Sequence, residues 1–119
     1  MIIQHQQWLG ERRILIADEI NHGSVQVSIP DDTYLDTKIA NKADALIYAL
    51  WVDAHYRRQG AARILLKKAE GEVKRLGYKK VALEWDRRES EEWTMQWYER
   101  LGYVEKEFGR NSSLLVKEL

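Results

Sequence analysis

The run at residues 45–52, Ala-Leu-Ile-Tyr-Ala-Leu-Trp-Val, is apolar in both alternating phases and rich in strand formers. A half-solvated strand would alternate with polar residues, so a strand lacking a polar phase belongs at the centre of a sheet, covered on both faces. Next, Ala61, Ile64, Leu65, Ala69, Val73 and Leu76 recur at helical spacing, with lysines, arginine and glutamates between them and Gly77 placed as a C-terminal cap. Residues 79–85 alternate again, with Val81, Leu83 and Trp85 on one face. Strand, helix and strand with short connections form a βαβ-like unit, and its two strands are expected to run parallel.

The flanks add antiparallel material. Residues 13–20 read as a strand, Asn21-His22-Gly23 as a turn, and Val25, Val27 and Ile29 alternate with Ser24, Gln26 and Ser28, which predicts a hairpin with one buried face. Pro30 should end that strand, and residues 31–44, acidic at their start with Asp31, Asp32 and Asp36, read mostly as loop. Trp93, Trp97 and Leu101 mark the buried stripe of a second helix ended by Gly102, and residues 103–108 and 113–119 read as a closing hairpin around Gly109-Arg110-Asn111. The fold class is therefore α/β in the α+β sense, a mixed sheet with flanking helices, in one domain spanning residues 1–119 without a linker.

Charge and cysteine content narrow the function. Nineteen lysines and arginines balance nineteen aspartates and glutamates, leaving no net basic field for nucleic acid or a membrane surface. No cysteine is present, so disulfides, thiolate metal sites and a cysteine nucleophile are excluded together, and no metal is implied. The N-terminus lacks the basic flank and apolar core of a signal peptide, and no apolar run reaches bilayer length, so a cytoplasmic protein is expected.

Between the central strand and the first helix lies Arg57-Arg58-Gln59-Gly60-Ala61-Ala62. Small residues let a ligand approach the backbone there, the new helix presents unpaired N–H groups, and Arg57, Arg58 and Arg63 add full charge to the positive end of the helix dipole. Such a site favours phosphate or pyrophosphate. The same string also suits a plain strand-to-helix turn. About 35 residues on, after an intervening helix and strand, comes Trp97-Tyr98-Glu99-Arg100-Leu101-Gly102-Tyr103.

In that order and spacing the two motifs resemble the GNAT superfamily of N-acetyltransferases, from about Arg13 to the C-terminus. The resemblance implies a mixed, mostly antiparallel sheet whose central strands splay apart, with acetyl-CoA as cosubstrate lying in the gap. It places the pyrophosphate at Arg57, Arg58, Gln59, Gly60, Ala61 and Ala62, and the pantetheine arm against backbone groups of Trp51 and Val52. It further implies direct attack of a primary amine on the thioester, with the Val52 N–H facing the oxyanion and Tyr98 as general acid on the CoA thiolate. Read from helical position alone, Tyr98 beside the buried stripe reads first as a residue filling a packed interface. For a general base the candidates are Asp53, His55 and Glu84, and none is assigned.

The sequence departs from the family where Glu91 and Thr94 replace a frequent asparagine and alanine, and where too few residues precede the central strand for the usual first two helices. Those helices ordinarily wall the acceptor site. Their reduction implies an open groove, a wall supplied by a second copy of the chain in a homodimer, or an acceptor that is an exposed lysine or chain terminus. The three aspartates at 31–44 would favour a cationic acceptor. The other reading is a non-catalytic acyl-CoA-binding or regulatory module. Nucleic-acid binding through Arg57, Arg58, Arg63, Lys67 and Lys68 is disfavoured by the neutral total charge.

Overall fold

The structure, a computed structural model, describes residues 1–31, 39 and 42–119. Seven strands, β1 (Ile2–Trp8), β2 (Glu11–Asp18), β3 (Gly23–Pro30), β4 (Ala45–Val52), β5 (Lys80–Asp86), β6 (Val104–Phe108) and β7 (Ser112–Glu118), form one sheet in the order β1-β2-β3-β4-β5-β7-β6. Helix α1 (Ala61–Arg75) joins β4 to β5 and α2 (Glu92–Arg100) follows β5. The β4–β5 pair is parallel and every other pairing is antiparallel, as the βαβ and hairpin patterns require.

The core lies between one sheet face and α1. Ile14, Ile16, Val25, Val27, Ala45, Ile47, Val81, Leu83 and Leu115 meet Leu65, Leu66, Ala69 and Val73 there. On the outer face a smaller cluster, Leu46, Ala82, Leu114 and Val116, is covered by Ile39. The rest of the segment expected as loop, apart from Asp31 and residues 42–44, lies outside the described residues. No described helix is long and apolar enough to cross a membrane.

One strand is added that no sequence pattern marks, the usual first two helices are reduced as expected, and three expectations are corrected. Strand β1 carries no hydrophobic alternation, because as an outer strand only its Ile3 packs on the core. The two-residue turn Leu9-Gly10 joins it directly to β2, so no helix lies between these strands. In α1 the buried stripe runs through Leu66 rather than Ile64, which is half exposed. In α2 Trp93 points outward and Met95, Trp97, Tyr98 and Leu101 make the contact with the core. Finally, β4 is buried on both faces only in its first three residues; from Tyr48 to Trp51 it is partly open.

A polar staple ties α1 to the end of the chain. Glu70 is buried, accepts the Tyr103 hydroxyl at 2.7 Å and pairs with Lys117 Nζ at 3.0 Å. Glu70→Ala is expected to cost about 2–3 kcal/mol in urea unfolding, because it strands a buried phenol and an ammonium group at once.

Candidate functional site

Strands β4 and β5 pair only at Ala45–Val81 and Leu46–Ala82. Beyond that, β4 stays with β3 as far as Gly23–Val52, while β5 stays with β7 as far as Asp86–Ser112. The two strands thus part and leave a cleft of about 320 Å³, whose lining includes Ile47, Leu50, Leu66, Leu83, Glu84 and Tyr98. A larger hollow among Lys42, Lys80, Lys106 and Glu118 lies away from this gap, and its Lys42 and Lys80 are paired with Glu107 and Glu118.

A bulge sets what β4 offers to the cleft. Gln26 opposes Tyr48 but Ser24 opposes Trp51, so β4 holds one extra residue, and Ala49 takes it up with a left-handed φ of 53°. Gln26 and Ser24 share a face, so Tyr48 and Trp51 do too, on the outer side. The backbone phase shifts as well. The Asp53 N–H donates to the His22 carbonyl at 2.8 Å. By alternation the peptide groups of Val52 and Leu50 point away from β3 into the gap, while those of Trp51 point toward Ser24. The Val52 carbonyl accepts from Arg57 Nε at 2.9 Å, while its N–H has no hydrogen-bond partner among the described residues. No glycine or proline announces this bulge, so the sequence carries no signal for Leu50.

The connection from β4 to α1 is pinned at several points. Asp53 caps the short helical turn Ala54–Tyr56 by accepting from the His55 N–H at 2.9 Å, and Tyr56 stacks on His22 with ring centres 4.2 Å apart. Arg58 (φ 64°) and Gly60 (φ 83°) are both left-handed and curl the backbone ahead of α1. No side chain caps that helix, so the N–H groups of Ala61, Ala62 and Arg63 lack an intrahelical partner. A Cβ on Gly60 would meet nothing within 4 Å, so the space before the helix is open. Ala61 is buried against the sheet, while Arg57, Arg58, Gln59 and Arg63 are exposed. Their charges and the helix dipole give the opening of α1 a positive electrostatic character.

Helix α2 places Tyr98 on the cleft wall. Its ring meets Trp97 and Tyr103 edge-to-face, at centroid distances of 4.9 and 5.8 Å, and the Tyr103 N–H donates to the Tyr98 carbonyl at 3.1 Å. Burial pushes the Tyr98 phenol above its ordinary pKa, so the hydroxyl keeps its proton throughout the neutral range. Tyr103 is raised further by burial and by the adjacent Glu70 carboxylate. Because both folded-state values are raised, the stability these groups contribute is complete below about pH 10, the unfolded phenol value, and is lost as pH rises through the folded values. Circular dichroism during alkaline titration is expected to show cooperative unfolding coupled to tyrosine ionisation. At the acid end the sign is opposite. Hydrogen bonds from Asn21 and Arg75 depress Asp18 and Glu72, so their contribution is present above about pH 4 and fades as pH falls through the folded values.

Of the candidate bases, Asp53 is engaged as a cap, His55 is exposed beyond the strand, and Glu84 lines the cleft. Glu91 and Thr94 fasten α2: Thr94 Oγ accepts the Trp85 indole N–H at 2.7 Å and donates to the Glu91 carbonyl at 2.6 Å. Among the described residues no group of three histidines, aspartates or glutamates is arranged to hold a metal.

The sequence model of the Acetyltransferase (GNAT) family matches residues 4–103. No curated protein matches the chain in sequence. Among solved structures, the PaiA N-acetyltransferase of Thermoplasma acidophilum in complex with coenzyme A is 17% identical, with a TM-score of 0.64 over 90% of this chain and 60% of that one. The NatC complex bound to Gag peptide and CoA gives 17% identity and a TM-score of 0.65 over 90% of this chain and 70% of its own. A GNAT family acetyltransferase of Elizabethkingia anophelis with acetyl-CoA bound gives 15% identity and a TM-score of 0.64, covering 93% and 78%. At these identities the likeness is one of fold, and the chain spans only 60% of the first relative's length.

Proposed function

The chain belongs to the GNAT acetyltransferase family, and from that premise we propose that it binds acetyl-CoA in the β4–β5 gap and transfers the acetyl group to a primary amine. What supports this reading is the parting of β4 from β5, with an uncapped, arginine-rich start of α1, a Val52 N–H turned away from β3 and a protonated phenol at Tyr98 on the cleft wall.

In this reading the pyrophosphate lies on the N–H groups opening α1, with Arg57, Arg58 and Gln59 around it and Gly60 giving it room. The pantetheine arm pairs with the backbone of Leu50 and Val52, as an added strand would. Trp51 borders the arm through its side chain alone. The acceptor nitrogen, unprotonated, attacks the thioester carbonyl carbon in the ternary complex, and charge develops on the carbonyl oxygen opposite the Val52 N–H. As the C–S bond breaks, Tyr98 donates its proton to the departing thiolate, and the proton released from the new amide nitrogen leaves to water. No covalent enzyme intermediate forms.

Gly60→Val tests the cofactor half. The left-handed φ costs a valine about 1–2 kcal/mol, and its side chain occupies the space assigned to phosphate. Calorimetry is expected to give a Kd for acetyl-CoA raised at least about tenfold, equivalent to 1.4 kcal/mol. An unchanged Kd would place the phosphates elsewhere. The two-residue β1–β2 turn, with no helix over the neighbouring face among the described residues, favours a second reading, an acyl-CoA-binding module without turnover. Thiol release from acetyl-CoA with an amine present separates the two.

A further inference from the structure

We propose that the acceptor is the lysine ε-amine of a basic polypeptide segment, which lies across the outer face of β1–β4 and enters the gap past Glu84; this rests on the transfer reading above. The geometry comes first. Helix α1 and its positively charged opening occupy one side of the sheet, so an acceptor meeting the thioester from across the gap arrives from the outer side. Registers place Tyr48 and Trp51 of β4, Ser24 and Gln26 of β3, Arg13 and Leu15 of β2, and Gln4, Gln6 and Trp8 of β1 on that side.

Because only Leu9-Gly10 joins β1 to β2, no helix among the described residues covers this area, and Trp8 and Trp51 are 50% and 52% exposed. Four strands make a platform roughly 14 Å across at about 4.8 Å per strand. Such a floor, carrying glutamine amides and indoles, can hydrogen-bond and pack against an extended backbone. Among the described residues only Ile39 stands over the outer face, at its β4–β5–β7 side, and none forms a wall that would enclose a small amine.

Charge completes the argument. The alternation of β5 that puts Ala82 in the outer cluster puts Glu84 on the same side, where it is exposed and has no ion-pair partner among the described residues. Glu89 also lines the cleft without an ion-pair partner among the described residues, whereas Asp86 beside it is paired with Arg88 at 3.2 Å. Arg13, on the platform itself, is already held by Glu11 at 2.6 Å and lies over the Trp8 ring at 4.5 Å. The mouth is therefore net acidic and the phosphate end basic, so an anionic cosubstrate and a cationic acceptor are drawn to opposite ends of one cleft.

The test uses the full chain with acetyl-CoA and three acceptors: a twelve-residue peptide with one lysine flanked by arginines, a single blocked lysine amide, and spermidine. Mass spectrometry locates the acetyl group. The expected kcat/KM for the peptide exceeds that for the other two by at least tenfold. Trp8→Ala and Gln26→Lys, on the platform but outside the cleft, are expected to raise KM for the peptide at least threefold and leave that of the lysine amide unchanged. A preference for spermidine, equal values for peptide and lysine amide, or variants without effect on the peptide would each overturn the proposal. Turnover of none of the three, or failure to bind acetyl-CoA, would instead overturn the transfer reading beneath it.

Discussion

Tyr98→Phe is expected to lower kcat for acetyl transfer by about a hundredfold or more while leaving the calorimetric Kd for acetyl-CoA within twofold of the parent. The substitution removes one oxygen and keeps the ring, so the edge-to-face contacts with Trp97 and Tyr103 that seat α2 persist. No hydrogen bond among the described residues depends on that hydroxyl, so loss of stability should be slight. What disappears is the proton donor for the leaving thiolate, and a loss confined to turnover is the mark of a group acting in the transition state. Undiminished kcat would reduce Tyr98 to a packing residue.

Gly23→Val is expected to destabilise the fold by about 3 kcal/mol or more and to abolish measurable acetyl-CoA binding in whatever fraction stays folded. A Cβ at this position would come within 2.8 Å of the Trp51 carbonyl oxygen, 2.9 Å of Leu65 Cδ1 and 3.1 Å of Val52 Cγ2. Relief requires the end of β4 to move away from β3 or α1 to lift off the sheet, and either displaces the Val52 N–H from the gap. Urea denaturation and calorimetry on the same preparation measure both effects. Gly71, on α1, is the control, because a Cβ added there would meet nothing within 4 Å. Gly71→Ala should be neutral or mildly stabilising, by up to about 1 kcal/mol.

The role of Gly23 also shows what the sequence could and could not convey. Asn21-His22-Gly23 reads as a turn with glycine as the flexible element, yet His22 takes the left-handed conformation, at φ 50°, and Gly23 opens β3 where no side chain fits. Turn chemistry is local and legible; close approach of β4 and α1 to that backbone is tertiary and is not. The same divide runs through the rest. The apolar run at 45–52 and the stripe on α1 mark the elements that meet in the core, so β4, α1 and their parallel connection to β5 were legible, though not the opening of β4 from Tyr48 to Trp51. Strand β1 was not, because a strand at the sheet edge needs no apolar phase. The cleft followed from resemblance alone, since no residue pattern marks where two strands stop pairing. Ala49 is the sharpest case: its bulge decides that Leu50 and Val52, rather than Trp51, turn their peptide groups to the gap, and alanine carries no signature of it.

The central claim, that the parted strands β4 and β5 hold an acyl-CoA, is tested most directly by calorimetric titration of the full chain with acetyl-CoA. Saturable binding of one acetyl-CoA per chain is expected, with Kd in the range of about 1 μM to 1 mM usual for enzyme substrates. No binding heat at millimolar acetyl-CoA, at two temperatures so that a chance zero of enthalpy is avoided, would contradict it.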